Sequence, residues 1–108
     1  MSQVNAVTLE NFEALVLHNS RPVLVDFWAS WCMPCRMLSP VVDELAGELA
    51  GRCDVVKLNV DDCQELAARY GVMSIPTLIV FDKGEAVDKS VGVLPKEDIL
   101  SMVERHLA

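Results

Sequence analysis

The run Val23-Leu24-Val25-Asp26-Phe27-Trp28-Ala29 constrains this chain more than any other stretch. It is apolar at nearly every position instead of alternating, the pattern of a central strand buried on both faces. Such a strand needs cover above and below, which points to a layered α/β domain. Directly after it comes Trp31-Cys32-Met33-Pro34-Cys35, and the apolar periodicity beyond is helical. The two cysteines therefore sit where a strand ends and a helix begins. A helix N-terminus carries partial positive charge and unpaired N–H groups, which stabilise a thiolate on the first cysteine. A thiolate is the nucleophile of thiol–disulfide exchange.

The rest of the chain alternates between strand-like and helix-like patterns. Val4 to Thr8 is a short first strand, and Thr8 is placed to cap a helix from Leu9 to His18 with Leu9, Phe12, Leu15 and Val16 on one face. The helix that starts at Cys32 runs to about Ala50, with a core stripe of Leu38, Val41, Val42, Leu45 and Leu49 and a kink expected at Pro40. Val55 to Val60 is a buried strand. Asp62-Cys63-Gln64-Glu65 resembles a capping box opening a helix that Gly71 ends. Thr77 to Phe81 and Ala86 to Val91 form a hairpin about Asp82-Lys83-Gly84-Glu85, and Gly92 breaks its second strand. Pro95 fits the first turn of a last helix reaching Leu107, with Ile99, Leu100, Val103 and Leu107 inward. The order is βαβαβαββα in one domain, residues 1–108. Its first three strands are predicted parallel and the closing hairpin antiparallel. The cysteine pair falls at the C-terminal end of a central strand, where open α/β sheets place their sites.

Composition narrows the function classes. At 52% hydrophobic residues the 108-residue chain can build a core without cross-links. A net charge of −7 argues against nucleic acid and anionic membrane surfaces as partners. No apolar stretch approaches the roughly 20 residues of a membrane span. The start, Met1-Ser2-Gln3-Val4-Asn5, lacks the basic and apolar regions of a signal peptide, so a cytoplasmic location is expected. In a reducing compartment four cysteines are not expected to form a structural disulfide framework.

The candidate chemistry gathers round the cysteine pair. A permanent disulfide or half of a zinc site would also use such a pair, but zinc needs four ligands. Cys53 and Cys63 are not themselves closely spaced, and His18 and His106 lie on other elements. No metal is expected. A hydrolytic cysteine would need a histidine within reach, and neither histidine belongs to the site. Phosphate and dinucleotide signatures are absent, so no bound cofactor is expected. Asp26, amid the apolar strand, must be largely desolvated and should titrate high. Trp28 is expected to pack against the site and Trp31 to be exposed. Cys53 and Cys63 read as small apolar residues, with a regulatory thiol at Cys63 as the alternative.

Together, Val25-Asp26-Phe27-Trp28-Ala29-Ser30-Trp31-Cys32, Pro34-Cys35, Pro40, Lys57, Ser74-Ile75-Pro76-Thr77, Gly84 and Gly92 resemble the thioredoxin family over essentially the whole chain. The resemblance implies the thioredoxin fold, with a central mixed five-stranded sheet flanked by four helices. It implies a protein-disulfide reductase in which Cys32 attacks a target disulfide and Cys35 resolves the mixed disulfide. Asp26 would then take and return the Cys35 proton, with Lys57 as its neighbour; a simple structural ion pair is the alternative for these two. Ile75-Pro76 would be a cis bond in a loop packed on the cysteines, and Trp31, Met33, Pro34, Ile75, Pro76, Gly92 and Val93 would form the docking surface. Implied partners are disulfide-containing target proteins and a flavin-containing, NADPH-dependent thioredoxin reductase, the protein itself being a monomer. Two residues depart from the family pattern: Met33 stands where glycine is usual, and Arg36 where lysine is common. Because residues between the cysteines tune the potential, an oxidant or isomerase on the same fold remains open. So does an interaction module with idle thiols.

Overall fold

The computed structural model describes residues 4–107. Five strands form one sheet: β1 (Asn5–Val7), β2 (Val23–Trp28), β3 (Asp54–Asn59), β4 (Thr77–Asp82) and β5 (Glu85–Val91). Their spatial order is β1-β3-β2-β4-β5, which puts the apolar run of β2 at the centre. β1, β3 and β2 are mutually parallel, and β4 runs antiparallel to both β2 and β5. The predicted mixed sheet is thus observed. Four helical segments flank it: a short π-helical segment (Glu13–Leu17), α1 (Met33–Glu48), α2 (Gln64–Arg69) and α3 (Lys96–Glu104). Of the opening residues read above, Met1, Ser2 and Gln3 lie outside the described residues. Among the described residues no helix is long and apolar enough to cross a membrane.

The sheet divides the core into two layers because strand side chains alternate between faces. Val23, Val25 and Phe27 of β2 join Val56, Leu58, Ile79 and Phe81 on the face covered by the π-helical segment and α2. Phe12, Tyr70 and Phe81 stack there in edge and tilted contacts, with ring centroids 5.0 to 5.9 Å apart. Leu24 faces the other way, with Val55, Leu78 and Val80, beneath Leu38, Val42 and Leu45 of α1 and Ile99 and Val103 of α3. Asp26 has the same parity as Leu24, so it lies on the α1 face.

Local chemistry sets the element ends, and some differ from the sequence expectation. Thr8 does not cap the predicted helix but closes a turn before it: its Oγ1 accepts from Asn11 N–H (3.1 Å), while Asn11 Oδ1 accepts from Thr8 N–H (2.7 Å). The segment after it is not a regular helix from Leu9. It closes instead with a His18 N–H bond to the Glu13 carbonyl (2.9 Å), five residues back. Side-chain bonds from Thr8 and Asn11 compete with the helical ladder at this start, and Leu9 is left exposed while Phe12 and Val16 are buried. The Asp62–Glu65 capping box does not form; Cys63 occupies the N-cap without a side-chain cap bond, because its sulfur turns inward toward the Val7 carbonyl. Gly71, at φ 66°, takes the left-handed turn that ends α2. Lys83 (φ 53°) and Gly84 (φ 84°) make a two-residue hairpin turn of the mirror-image type that matches strand twist. A Cβ at position 84 would sit 3.1 Å from the Leu17 carbonyl oxygen, so glycine is required there for space as well. Pro95 is the N-cap of α3, one residue before the predicted first turn, and Met102 joins its buried face. Helix α1 runs unbroken through Pro40.

Candidate active site

Three chain segments converge at the C-terminal end of β2. The strand delivers Ala29, whose carbonyl accepts from Cys32 N–H at 3.2 Å. Cys32 is then the N-cap of α1, in extended conformation, and its Sγ accepts a hydrogen bond from Cys35 N–H at 3.2 Å. A helix start offers such unpaired N–H groups, and here one of them is aimed at sulfur. Cys32 and Cys35 form a disulfide, with their Cα atoms 5.3 Å apart. Among the described residues no group of three or more His, Cys, Asp or Glu side chains could hold a metal.

Cys32 is 5% exposed and Cys35 2%. Both cysteines are thus buried in the oxidised protein, although Cys32 opens the helix. The loop before β4 explains this: the Ile75 carbonyl oxygen lies 3.8 Å from Cys32 Sγ. The Ile75-Pro76 bond is cis, as the resemblance implied. The loop is held by a Thr77 Oγ1 bond to the Ser74 carbonyl (2.6 Å) and by Gly92 N–H donating to the Pro76 carbonyl (2.8 Å).

Trp31, Met33, Pro34 and Ile75 surround one groove with Cys32. Sequence reasoning missed four further walls of that groove: Val60, Val72, Met73 and Ser74. Met73 is 94% exposed, and no sequence signal set it apart from an idle loop side chain. Pro76 is buried beneath the loop, and Gly92 reaches the site through its bond to Pro76. Val93 is exposed beyond Gly92 and does not line the groove. Trp31 is exposed as expected, and its indole N–H donates to Asp61 Oδ2 at 2.9 Å. Trp28 is half-buried against Ala29, Cys32 and Cys35.

Behind the disulfide a second cavity leads inward, bordered by Cys35, Asp26, Trp28, Ser39, Asp43 and Lys57. Asp26 is 1% exposed, and its Oδ1 has no hydrogen-bond partner among the described residues. Burial pushes its carboxyl up to about 7, with Lys57 opposing and Asp43 adding to the rise. Asp26 and Lys57 are register partners on β2 and β3. Lys57 nevertheless makes its contacts elsewhere. Its Nζ donates to Ser39 Oγ, lies 3.8 Å from Asp43 Oδ1 and sits 5.8 Å from the Trp28 ring centroid. Sequence reading missed Ser39 and Asp43. Their spacing of four from Cys35 and from each other puts them on one helix stripe, but nothing in that spacing points to Lys57 on β3.

The other cysteines and histidines stay out of the site. Cys53 and Cys63 are free thiols, each 1% exposed. Burial pushes Cys53 up to about 11 and also raises Cys63, where the Asp62 and Glu10 charges reinforce the rise. A regulatory thiol at Cys63 needs exposure and an acidic sulfur, and the structure provides neither. On alkylation of reduced, folded protein at neutral pH, the label is expected at Cys32, with Cys63 modified only as the protein unfolds; mass spectrometry of a time course reads this. His18 is exposed, whereas His106 is not. It lies past the end of α3, part-buried, with Nε2 3.1 Å from Asp88 Oδ2 beside the Arg105–Asp88 ion pair.

Comparison with known proteins agrees with this geometry. The family model Thioredoxin matches residues 3–105. Similar proteins include Thioredoxin of Haemophilus influenzae, 46% identical over 107 residues that cover 99% of this chain and 100% of that one. Thioredoxin of Pyropia yezoensis is 50% identical over 105 residues, covering 97% and 98%. Thioredoxin of Staphylococcus epidermidis is 52% identical over 101 residues, covering 94% and 95%.

Proposed function

This chain belongs to the thioredoxin family and is a thiol–disulfide oxidoreductase that reduces protein disulfides; from that premise we propose how its residues divide the work. The supporting observation is the Cys32–Cys35 disulfide at the start of α1, with a helix N–H already directed at Cys32 Sγ. In the reduced protein the Cys32 thiolate attacks one sulfur of a target disulfide. The Cys32–target bond forms, the target S–S bond breaks, and one target thiolate leaves. Cys35 then gives its proton to the Asp26 carboxylate, through the cavity the two share, and attacks Cys32 Sγ. The second target thiolate leaves and the Cys32–Cys35 disulfide closes. Two electrons have passed from the protein dithiol to the target.

Return to the dithiol needs a two-electron donor. The proposed donor is a flavin-containing, NADPH-dependent thioredoxin reductase, and the proposed setting is the cytoplasm, with the protein acting as a monomer. Trp31, Met33, Pro34 and Ile75 receive the target beside Cys32, with Pro76, Gly92 and Val93 extending the surface. Met33 adds a flexible, exposed thioether where a glycine would leave open backbone. Opposite it, Met73 makes a second adaptable wall, so apolar residues flanking a target disulfide should be favoured.

The test is turnover of insulin disulfide reduction driven by dithiothreitol. The native chain is expected to accelerate it strongly. Met33→Gly should raise KM by about 3-fold to 10-fold, the loss of one apolar contact, with kcat little changed. No acceleration by the native chain would overturn the reading. A change confined to kcat would overturn the role given to Met33.

A further inference from the structure

On parallel neighbouring strands, Asp26 and Lys57 stand side by side on the face covered by α1. Opposite charges so placed, in a site nearly free of solvent, would be expected to close into an ion pair. Lys57 reaches away instead. Its ammonium donates to Ser39 Oγ, approaches Asp43 Oδ1 to 3.8 Å and lies toward the Trp28 ring. Asp26 Oδ1, meanwhile, is buried without a hydrogen-bond partner among the described residues. Ser39 is one helical turn beyond Cys35, and Asp43 one turn further, so a single stripe of α1 passes from the inner sulfur over both charges.

We propose that Ser39 is a positioning residue: its hydroxyl, backed by Asp43, anchors the Lys57 ammonium away from Asp26 and so keeps the proton affinity of the buried carboxylate high enough to take the Cys35 proton. The consequence for turnover rests on the reading of Asp26 as the acceptor of the Cys35 proton; the anchoring itself does not.

A carboxylate inside a low-dielectric cavity is sensitive to the distance of the nearest cation. The charged groups around Asp26 are few. Lys57 faces it from β3. Arg36 and Asp43 of α1 border the same cavity, and Cys35 titrates there only when reduced. On the β4 side its register partner is Leu78, which carries no charge. Lys57 opposes the rise of the Asp26 carboxyl by attraction, and Asp43 promotes it by like-charge repulsion. Without the Ser39 hydroxyl, Lys57 loses a neutral anchor and can swing toward Asp26.

The experiment is a carboxyl carbon NMR titration of Asp26 in the oxidised full chain. In Ser39→Ala the Asp26 midpoint should fall by about one pH unit. In Ser39→Thr, which retains the hydroxyl, it should stay at the native value. In the Lys57→Met background Ser39→Ala should leave the midpoint of the single Lys57→Met variant unchanged, showing that the ammonium carries the effect. An unchanged or raised midpoint in Ser39→Ala overturns the proposal, as does an equal fall in Ser39→Thr or persistence of the fall without Lys57. A purely structural role for Ser39 would move thermal stability and leave the midpoint alone. The base role of Asp26 fails by a separate result: an unchanged pH dependence of target reduction in Asp26→Asn.

Discussion

Cys35→Ser protein, reduced and mixed with insulin, is expected to accumulate as a mixed disulfide through Cys32, with steady-state turnover lowered by about 10³-fold or more. The size of the effect follows from proximity. In the native chain the two Cα atoms are 5.3 Å apart and the sulfurs already bond. A well-oriented intramolecular attack can correspond to an effective concentration of about 10⁵ M or higher, against millimolar external thiol once Cys35 is gone. Cys32→Ser should behave differently. It should lose turnover to a similar degree yet trap nothing, because Cys35 is 2% exposed and lies behind Cys32 beneath the Trp28 ring and the Ile75 loop. Non-reducing electrophoresis and intact mass separate the two outcomes. Trapping by Cys32→Ser, or by both variants equally, would reverse the assigned order of attack. Full activity in both would favour an interaction module with idle thiols.

The contrast between the two cysteines was legible in the sequence because a strand-to-helix junction fixes which of them is the helix N-cap. The central strand was legible for a similar reason: Val23 to Phe27 can satisfy their side chains only if covered on both faces, and both layers of core do cover them. Asp26 stood out as a carboxyl in that run, and its burial followed. The details that failed depend on competing local bonds. Thr8 and Asn11 exchange side-chain bonds with each other's backbone, so the predicted helix after Thr8 starts late, at Glu13, and is wound more widely with five-residue spacing. Cys63 turns into the core and displaces Asp62 from the cap. The partner of Lys57 was also beyond reach from the chain alone. Its strand register points to Asp26, whereas its flexible stem carries the ammonium to Ser39 and Asp43, a choice made by the neighbouring helix. Met73 escaped notice because nothing in a loop's composition distinguishes a groove wall from an idle exposed side chain.

Removing the buried carboxyl should produce the largest change in stability. Asp26 titrates at about 7 in the folded protein against an ordinary value of 3.8, chiefly because burial disfavours its charge. Below about pH 4 the carboxyl is neutral in both the folded and unfolded chain, and the folded state bears no ionisation cost. As pH rises from about 4 to about 7 the unfolded chain releases the proton and the folded chain keeps it, so stability falls with rising pH across that window. Above it the full cost is present, about 4 kcal/mol at 1.36 kcal/mol for each pH unit of difference. Asp26→Asn lacks this group and should show no such loss. Denaturant unfolding is therefore expected to find the variant and native proteins similar at pH 4, and the variant more stable by roughly 2–4 kcal/mol at pH 8. The thermal midpoint at pH 8 should rise by at least about 10 °C. The same change should slow target reduction near pH 7 by roughly 10-fold to 100-fold, since Cys35 loses its proton acceptor. That deficit should close toward about pH 9, where a thiol ionises unaided. A gain in stability that is equal at pH 4 and pH 8 would show that Asp26 is not held protonated by burial. A gain with unaltered kinetics would leave the carboxyl as a cost to folding with no part in the exchange.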